Sequence, residues 1–178
     1  MRIIAGSRKG ARIFAPQGQE MRPTGDRARE AAFNLIGSVG GARVLDLFAG
    51  SGAMGLEALS RGAAAATFVE RDRAAAAAIE RNLEKLDLRG AIILRDDAAR
   101  VLAAEAATGR RYDLVLIDPP YRLLAGLLPT LARYLPSVVA PDGLVVVESD
   151  AREEPTLPLP QRTSRRYGAA RITVFEAP

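Results

Sequence analysis

From Arg43 onward the chain repeats one pattern: a short apolar run, then a longer stretch with apolar positions every three or four residues. The runs Val44–Phe48, Ala66–Glu70, Ala91–Leu94, Tyr112–Ile117 and Leu144–Glu148 read as strands. The stretches Gly52–Arg61, Arg73–Leu86, Ala98–Ala107 and Leu123–Leu135 read as helices. Apolar strands alternating with helices predict a parallel sheet covered on both faces. The ends depart from this rhythm. Arg162–Tyr167 and Ala170–Phe175, joined at Gly168, predict an antiparallel hairpin at the sheet edge. Glu153–Pro160, with three prolines, reads as a loop. At the N-terminus Arg2–Ala5 and Arg12–Ala15 predict two short strands around Ser7–Gly10, Gln17–Gln19 a loop, and Asp26–Ile36 a helix ended by Gly37. The expected division is 1–40, an N-terminal hairpin and helix, and 41–178, the main α/β domain.

Composition changes this picture mainly by exclusion. The 178 residues contain neither cysteine nor histidine. Disulfides, thiolate metal sites, cysteine nucleophiles and the Ser-His-Asp triad are therefore excluded, and no metal site is expected. No apolar run approaches the roughly 20 residues of a membrane span, and the first residues lack the apolar core of a signal peptide. Neither a membrane span nor a signal peptide is expected. The net charge is +4. Residues 1–40 carry seven basic and three acidic side chains, residues 41–150 thirteen and fifteen, and residues 151–178 five and three. Basic ends around a slightly acidic middle fit either a polyanionic partner or a solvated basic surface.

Asp46-Leu-Phe-Ala-Gly50-Ser-Gly52-Ala-Met-Gly55 lies between the first core strand and its helix, where glycines let the backbone turn sharply against a ligand. Gly50-x-Gly52-x-x-Gly55, with Glu70 twenty residues on, matches a dinucleotide fingerprint literally. Asp46 opposes that reading, because a carboxylate at the rim would repel a pyrophosphate. It suits a cationic ligand and favours S-adenosylmethionine. Glu70 is placed to accept from both ribose hydroxyls, or is simply an acid before a helix. Asp97 is placed to accept from an adenine amino group, or to cap the helix at Ala98, or both.

The sharpest motif is Asp118-Pro119-Pro120-Tyr121, at the end of the strand Tyr112–Ile117. Two prolines fix φ and supply no N–H donors, so the rigid turn presents acceptors, the Asp118 carboxylate and the Pro119 carbonyl. Acceptors on a rigid turn, followed by an aromatic ring, suit an amino group on a conjugated ring system. Asp46, Glu70, Asp97 and Asp118 are 24, 27 and 21 residues apart, one βα unit each. All four are thus expected at the carboxyl ends of successive parallel strands, the ligand-binding edge of open α/β sheets.

These two motifs resemble class I S-adenosylmethionine-dependent methyltransferases that modify exocyclic or amide nitrogens. Arg2-Ile-Ile-Ala-Gly6 and Arg22-Pro-Thr24-Gly-Asp26-Arg27-Ala-Arg29-Glu30-Ala-Ala-Phe33-Asn34 narrow the likeness: the chain resembles the bacterial 16S rRNA guanine-N2 methyltransferases of the RsmD type over nearly its whole length. Gly25 stands where a second threonine is common in that family. The resemblance implies a Rossmann-like class I methyltransferase fold: a mostly parallel seven-stranded sheet, an antiparallel C-terminal edge hairpin, and a small N-terminal β-hairpin plus helix. It implies S-adenosylmethionine as cofactor, bound by Asp46, Phe48, Gly50, Ser51, Gly52, Glu70, Arg71, Asp97, Ala98 and Asp118. Asp118, Pro119, Pro120 and Tyr121 are the expected catalytic set.

The expected partner is 16S rRNA in the small ribosomal subunit or its assembly intermediate, with the protein a monomer. Arg8, Lys9, Arg12, Arg22, Thr24, Arg27 and Arg29 are the expected RNA contacts. Arg27 and Arg29 lie about 200° apart on a helix, so they cannot share one face. One is expected on RNA phosphate and the other in a pair with Asp26 or Glu30. Two other functions remain open at this level: methylation of a protein glutamine amide, and a non-catalytic RNA-binding assembly role.

Overall fold

The computed structural model describes residues 1–15 and 25–178. Its elements are α1 (Gly25–Ile36), β1 (Arg43–Leu47), α2 (Ala53–Ser60), β2 (Ala65–Val69), α3 (Arg73–Leu86), β3 (Ala91–Leu94), α4 (Ala98–Thr108), β4 (Tyr112–Ile117), α5 (Tyr121–Val138), β5 (Val139–Asp150), β6 (Gln161–Tyr167) and β7 (Ala170–Glu176). The sheet order is β3-β2-β1-β4-β5-β7-β6. β1 to β5 pair in parallel, while β7 lies antiparallel beside β5 and carries the edge strand β6. The order reverses between β1 and β4, which opens a crevice at their carboxyl ends.

One core packs side chains of α1, α2 and α3 against Val44, Phe68, Leu116, Val146 and Ile172 on one sheet face. The other packs α4 and α5 against Leu45, Val69, Val115, Val147 and Phe175. Successive strand residues alternate between these layers, as the period of two requires. Ile3 and Ile13 join the first core, so the N-terminal segment shares the sheet's hydrophobic layer.

Three expectations are corrected. The strands Arg2–Ala5 and Arg12–Ala15 shrink to one antiparallel bridge, Arg2 with Arg12, around a 3-10 turn at Gly6–Arg8. The reason is competition for donors. The N–H groups of Ile4 and Ala5 bond the Glu57 carboxylate at 2.8 and 2.9 Å, and that of Phe14 bonds the Asn82 side chain at 2.7 Å. Secondly, α5 starts at Tyr121, two residues early, because Pro120 caps it and its carbonyl accepts the Leu123 N–H at 2.8 Å. It also runs three residues past Leu135, through Pro136. Thirdly, the strand expected over Leu144–Glu148 runs from Val139 to Asp150, with Pro141-Asp142-Gly143 inside it as an irregularity. Asp142 takes a φ of 62°, and the register jumps from Tyr112–Val139 to Leu114–Leu144.

Candidate active site

Beyond β1 the backbone turns through left-handed conformations at Phe48 (φ 80°), Gly50 (56°) and Gly52 (81°). Gly52 precedes the first residue of α2. A Cβ on Gly55 would lie 2.3 Å from the Phe68 ring, so only glycine lets α2 sit this close to β2. The loop then folds back on Asp46, whose Oδ2 accepts the Gly55 N–H at 2.9 Å. Asp46 is 2% exposed. Burial pushes its carboxyl from 3.8 up to about 7; the Gly55 N–H opposes the rise and nearby Glu70 adds to it.

Glu70 follows β2 and holds the loop from the other side. Its Oε2 accepts the Gly50 N–H and its Oε1 the Asp72 N–H, each at 2.8 Å. Asp97 is the N-cap of α4, accepting from the Ala99 and Arg100 N–H groups at 3.0 and 3.2 Å. Ser51 is buried, and its carbonyl accepts from Asn82 at 3.1 Å.

Asp118 follows β4 and is exposed, while Pro119 is buried. Tyr121 donates its hydroxyl to Glu148 Oε1 at 3.3 Å. Ile117, the last residue of β4, pairs with Val147 of β5; Asp118 follows the first and Glu148 the second.

One cleft of about 830 Å³ takes in Asp46, Phe48, Gly50, Ser51, Glu70, Arg71, Asp97, Ala98, Asp118, Pro119 and Pro120, together with Glu148. Gly52, the N-cap of α2, and Tyr121 are not among the lining residues, and Tyr121 is tied to the cleft wall by its bond to Glu148. With Asp72 and Asp96, which also line it, a ligand seated here faces seven carboxylates. That fits a cationic sulfonium and ammonium, and disfavours a dinucleotide pyrophosphate. Among the described residues no acid cluster has metal-site geometry.

The expected RNA contacts divide. Lys9, Arg12 and Arg27 are exposed. Arg8 is half-buried and ties the N-terminal segment to the carbonyls of Leu86 and Asp87. Arg29 is corrected: it is 3% exposed and lies inside the protein. It pairs with Asp26 at 2.9 Å and Glu57 at 3.6 Å, and donates to the Arg2 carbonyl. Of the two arginines on α1, Arg27 faces solvent and Arg29 makes the internal pair. Arg22 and Thr24 lie outside the described residues, as does Gln17–Gln19.

Sequence reasoning missed four features. Glu57, fully buried, anchors Ile4, Ala5 and Arg61; its signal was a lone acid in an apolar helix. Asn82, fully buried, joins Phe14 to the Ser51 loop. Phe14 is 40% exposed, with Arg81 and Lys85 over its ring at 4.5 and 4.6 Å. Glu148 was read only as the end of a strand.

The family model described as "Conserved hypothetical protein 95" matches residues 1–176. The chain belongs to this family. Among its relatives, the "Ribosomal RNA small subunit methyltransferase D" of Escherichia coli K12 is 40% identical over 162 residues, 89% of this chain and 79% of that one. YlbH of Bacillus subtilis is 38% identical over 185 residues, 99% of this chain and 98% of that one. Among solved structures, the Thermus thermophilus 16S rRNA N2 G1207 methyltransferase in complex with AdoMet and guanosine shares the fold. Its TM-score is 0.69 at 22% identity, over 91% of this chain and 45% of that one. The family member thus carries the loop, the strand-end acids and the acceptor turn in one cleft.

Proposed function

We propose that the protein transfers a methyl group from S-adenosylmethionine to the exocyclic N2 of a guanine in 16S rRNA. The observation that carries this reading is the meeting of the Asp118–Tyr121 turn and the Asp46–Gly55 loop in one acidic cleft at the β1/β4 crevice. The 40% identity to a small subunit rRNA methyltransferase supports the substrate.

When bound, the cofactor supplies a sulfonium-activated methyl carbon. Asp46 and the glycine loop hold its methionine end, Glu70 its ribose, and Asp97 the adenine rim. The guanine leaves its stack to enter the cleft. Tyr121 packs on its ring while Asp118 and the Pro119 carbonyl accept the N2 hydrogens and point the nitrogen lone pair at the carbon. Held there, S-adenosylmethionine would give its methyl carbon to N2, the C–N bond forming as the C–S bond breaks and neutral S-adenosylhomocysteine remaining. The proton shed by N2 passes to Asp118 and then to solvent. Rate comes from positioning, without a histidine or metal.

Exposed Lys9, Arg12, Arg27 and the Phe14–Arg81–Lys85 cluster support RNA as the partner: phosphates take the cations, and an aromatic ring takes a base or sugar. Phe14 adjoins Ala15, which lines the cleft, so this surface meets the site's rim. The substrate is taken to be the small subunit or its assembly intermediate, met in the cytoplasm by a monomer. Among the described residues, no helix is long and apolar enough to cross a membrane.

The test is transfer of labelled methyl to small subunits lacking guanine-N2 methylation, with protein-free 16S rRNA in parallel. Label in N2-methylguanine is expected, stronger in subunits. Label in a protein glutamine, or none despite cofactor binding, overturns the reading.

A further inference from the structure

Glu148 touches the expected machinery without a role in the mechanism above. It is half-buried in β5, follows Val147 of the Ile117–Val147 pair, and lines the cleft that Asp118 also lines. Two carboxylates lining one cleft can take adjacent donors on one edge of a flat ring. Guanine alone among the RNA bases offers such an edge, N1–H beside the N2 amino group. Adenine presents an acceptor at N1.

We infer that Glu148 is the residue that selects guanine, accepting the N1–H while Asp118 holds the neighbouring amino group. This rests on the guanine-N2 reading above. Its carboxylate is anchored by the Tyr121 hydroxyl at 3.3 Å, and a carboxylate has about four acceptor positions, so that bond is compatible with a second donor. The same bond couples the ring packed on the base to the group reading its edge. An uncharged base lacking N1–H would leave a partly buried carboxylate facing a lone pair, and sites built to bond a particular N–H reject analogues without it.

The experiment uses small subunits reconstituted with guanine or 2-aminopurine at the position the wild-type protein methylates. 2-Aminopurine keeps the 2-amino group but has an unprotonated N1. Wild type, Glu148→Gln and Tyr121→Phe are compared by kcat/KM on both substrates, with cofactor Kd and thermal unfolding alongside. Each protein's guanine-to-2-aminopurine ratio is then divided by that of wild type, which cancels the intrinsic reactivity of the two amines.

Wild type is expected to prefer guanine by at least about tenfold. Glu148→Gln is near-isosteric, and its amide donates to an unprotonated N1. Its ratio is expected to fall by about tenfold or more, with cofactor Kd within about twofold of wild type. Tyr121→Phe keeps the carboxylate, so its rate is expected to fall with the ratio preserved. An unchanged ratio in Glu148→Gln overturns the inference. So does an equal ratio change in Tyr121→Phe, which would make Glu148 a support for the ring. Failure of the wild-type protein to methylate guanine at all removes the underlying reading, and this inference with it.

Discussion

Asp46 is where fold stability and ligand binding oppose each other. Its folded pKa of about 7 lies above the ordinary 3.8, so the folded state holds the proton more tightly than the unfolded chain. This group's contribution is fully present below about pH 4 and is lost as pH rises through 7, by about 4 kcal/mol in total. A cationic cofactor prefers the ionised form. Its affinity is therefore expected to rise about tenfold per pH unit up to about 7 and then level off, and binding at pH 6 should release close to one proton. Calorimetry in two buffers of different ionisation enthalpy reads this directly. Asp46→Asn should unfold several degrees higher than wild type at pH 8 and no higher near pH 4, while losing cofactor affinity at both. At the acceptor turn, Asp118→Ala is expected to lower methyl transfer at least about a hundredfold with much smaller loss of cofactor affinity. Equal losses in kcat and cofactor Kd would remove it from the chemistry.

Two helices decide whether these residues meet. α2 approaches β2 closely enough to close the loop on Asp46 only because residue 55 has no Cβ. Gly55→Ala places a carbon 2.3 Å from the Phe68 ring, so this one methyl should cost about 1–3 kcal/mol by overpacking and weaken cofactor binding by displacing the Gly55 N–H. The same helix carries Glu57, which bonds Ile4, Ala5 and Arg61 and faces Arg29. Glu57→Ala leaves two backbone N–H groups and Arg61 without their acceptor and removes one of the two carboxylates beside buried Arg29, and a loss of about 3–5 kcal/mol is expected in denaturant unfolding. Glu57→Gln keeps two acceptor bonds at most and should fall between. These elements also show the limit of local pattern. Alternation in Arg2–Ala5 and Arg12–Ala15 signals strands, yet their donors are claimed by Glu57 and Asn82, more than fifty residues away in the chain. Pro141-Asp142-Gly143 has turn chemistry, yet pairing with β4 on either side of it, at Val139 and Leu144, keeps it within a strand.

At the scale of the molecule, the expected RNA surface joins segments from both ends of the first hundred residues. Lys9, Arg12 and Phe14 come from the N-terminus, Arg81 and Lys85 from α3. Binding to the small subunit should weaken steeply with salt. The double variant Arg81→Ala with Lys85→Ala should reduce the slope of log affinity against log salt by about 2, leaving cofactor affinity unchanged. Filter binding across a salt series checks it; an unchanged slope moves the interface elsewhere. Arg29 carries the opposite lesson. Its sequence surroundings match those of exposed Arg27, but its position on α1 turns it inward against Asp26 and Glu57.

What the sequence determined by itself was periodic or locally rigid. Alternating strands and helices specify the doubly covered parallel sheet, because apolar spacing selects which face is buried. The spacing of Asp46, Glu70, Asp97 and Asp118 puts them on one edge, because each βα unit returns the chain to the same side. Asp118-Pro-Pro-Tyr121 is legible because proline fixes its own backbone. What only the tertiary structure decided depends on contacts between distant segments. Burial raised the Asp46 pKa, sheet assembly brought Glu148 and Asp118 to one cleft, and packing turned Arg29 and Glu57 into an internal clamp. No local window contains both partners of any of these contacts, so their chemistry is fixed only when the sheet assembles.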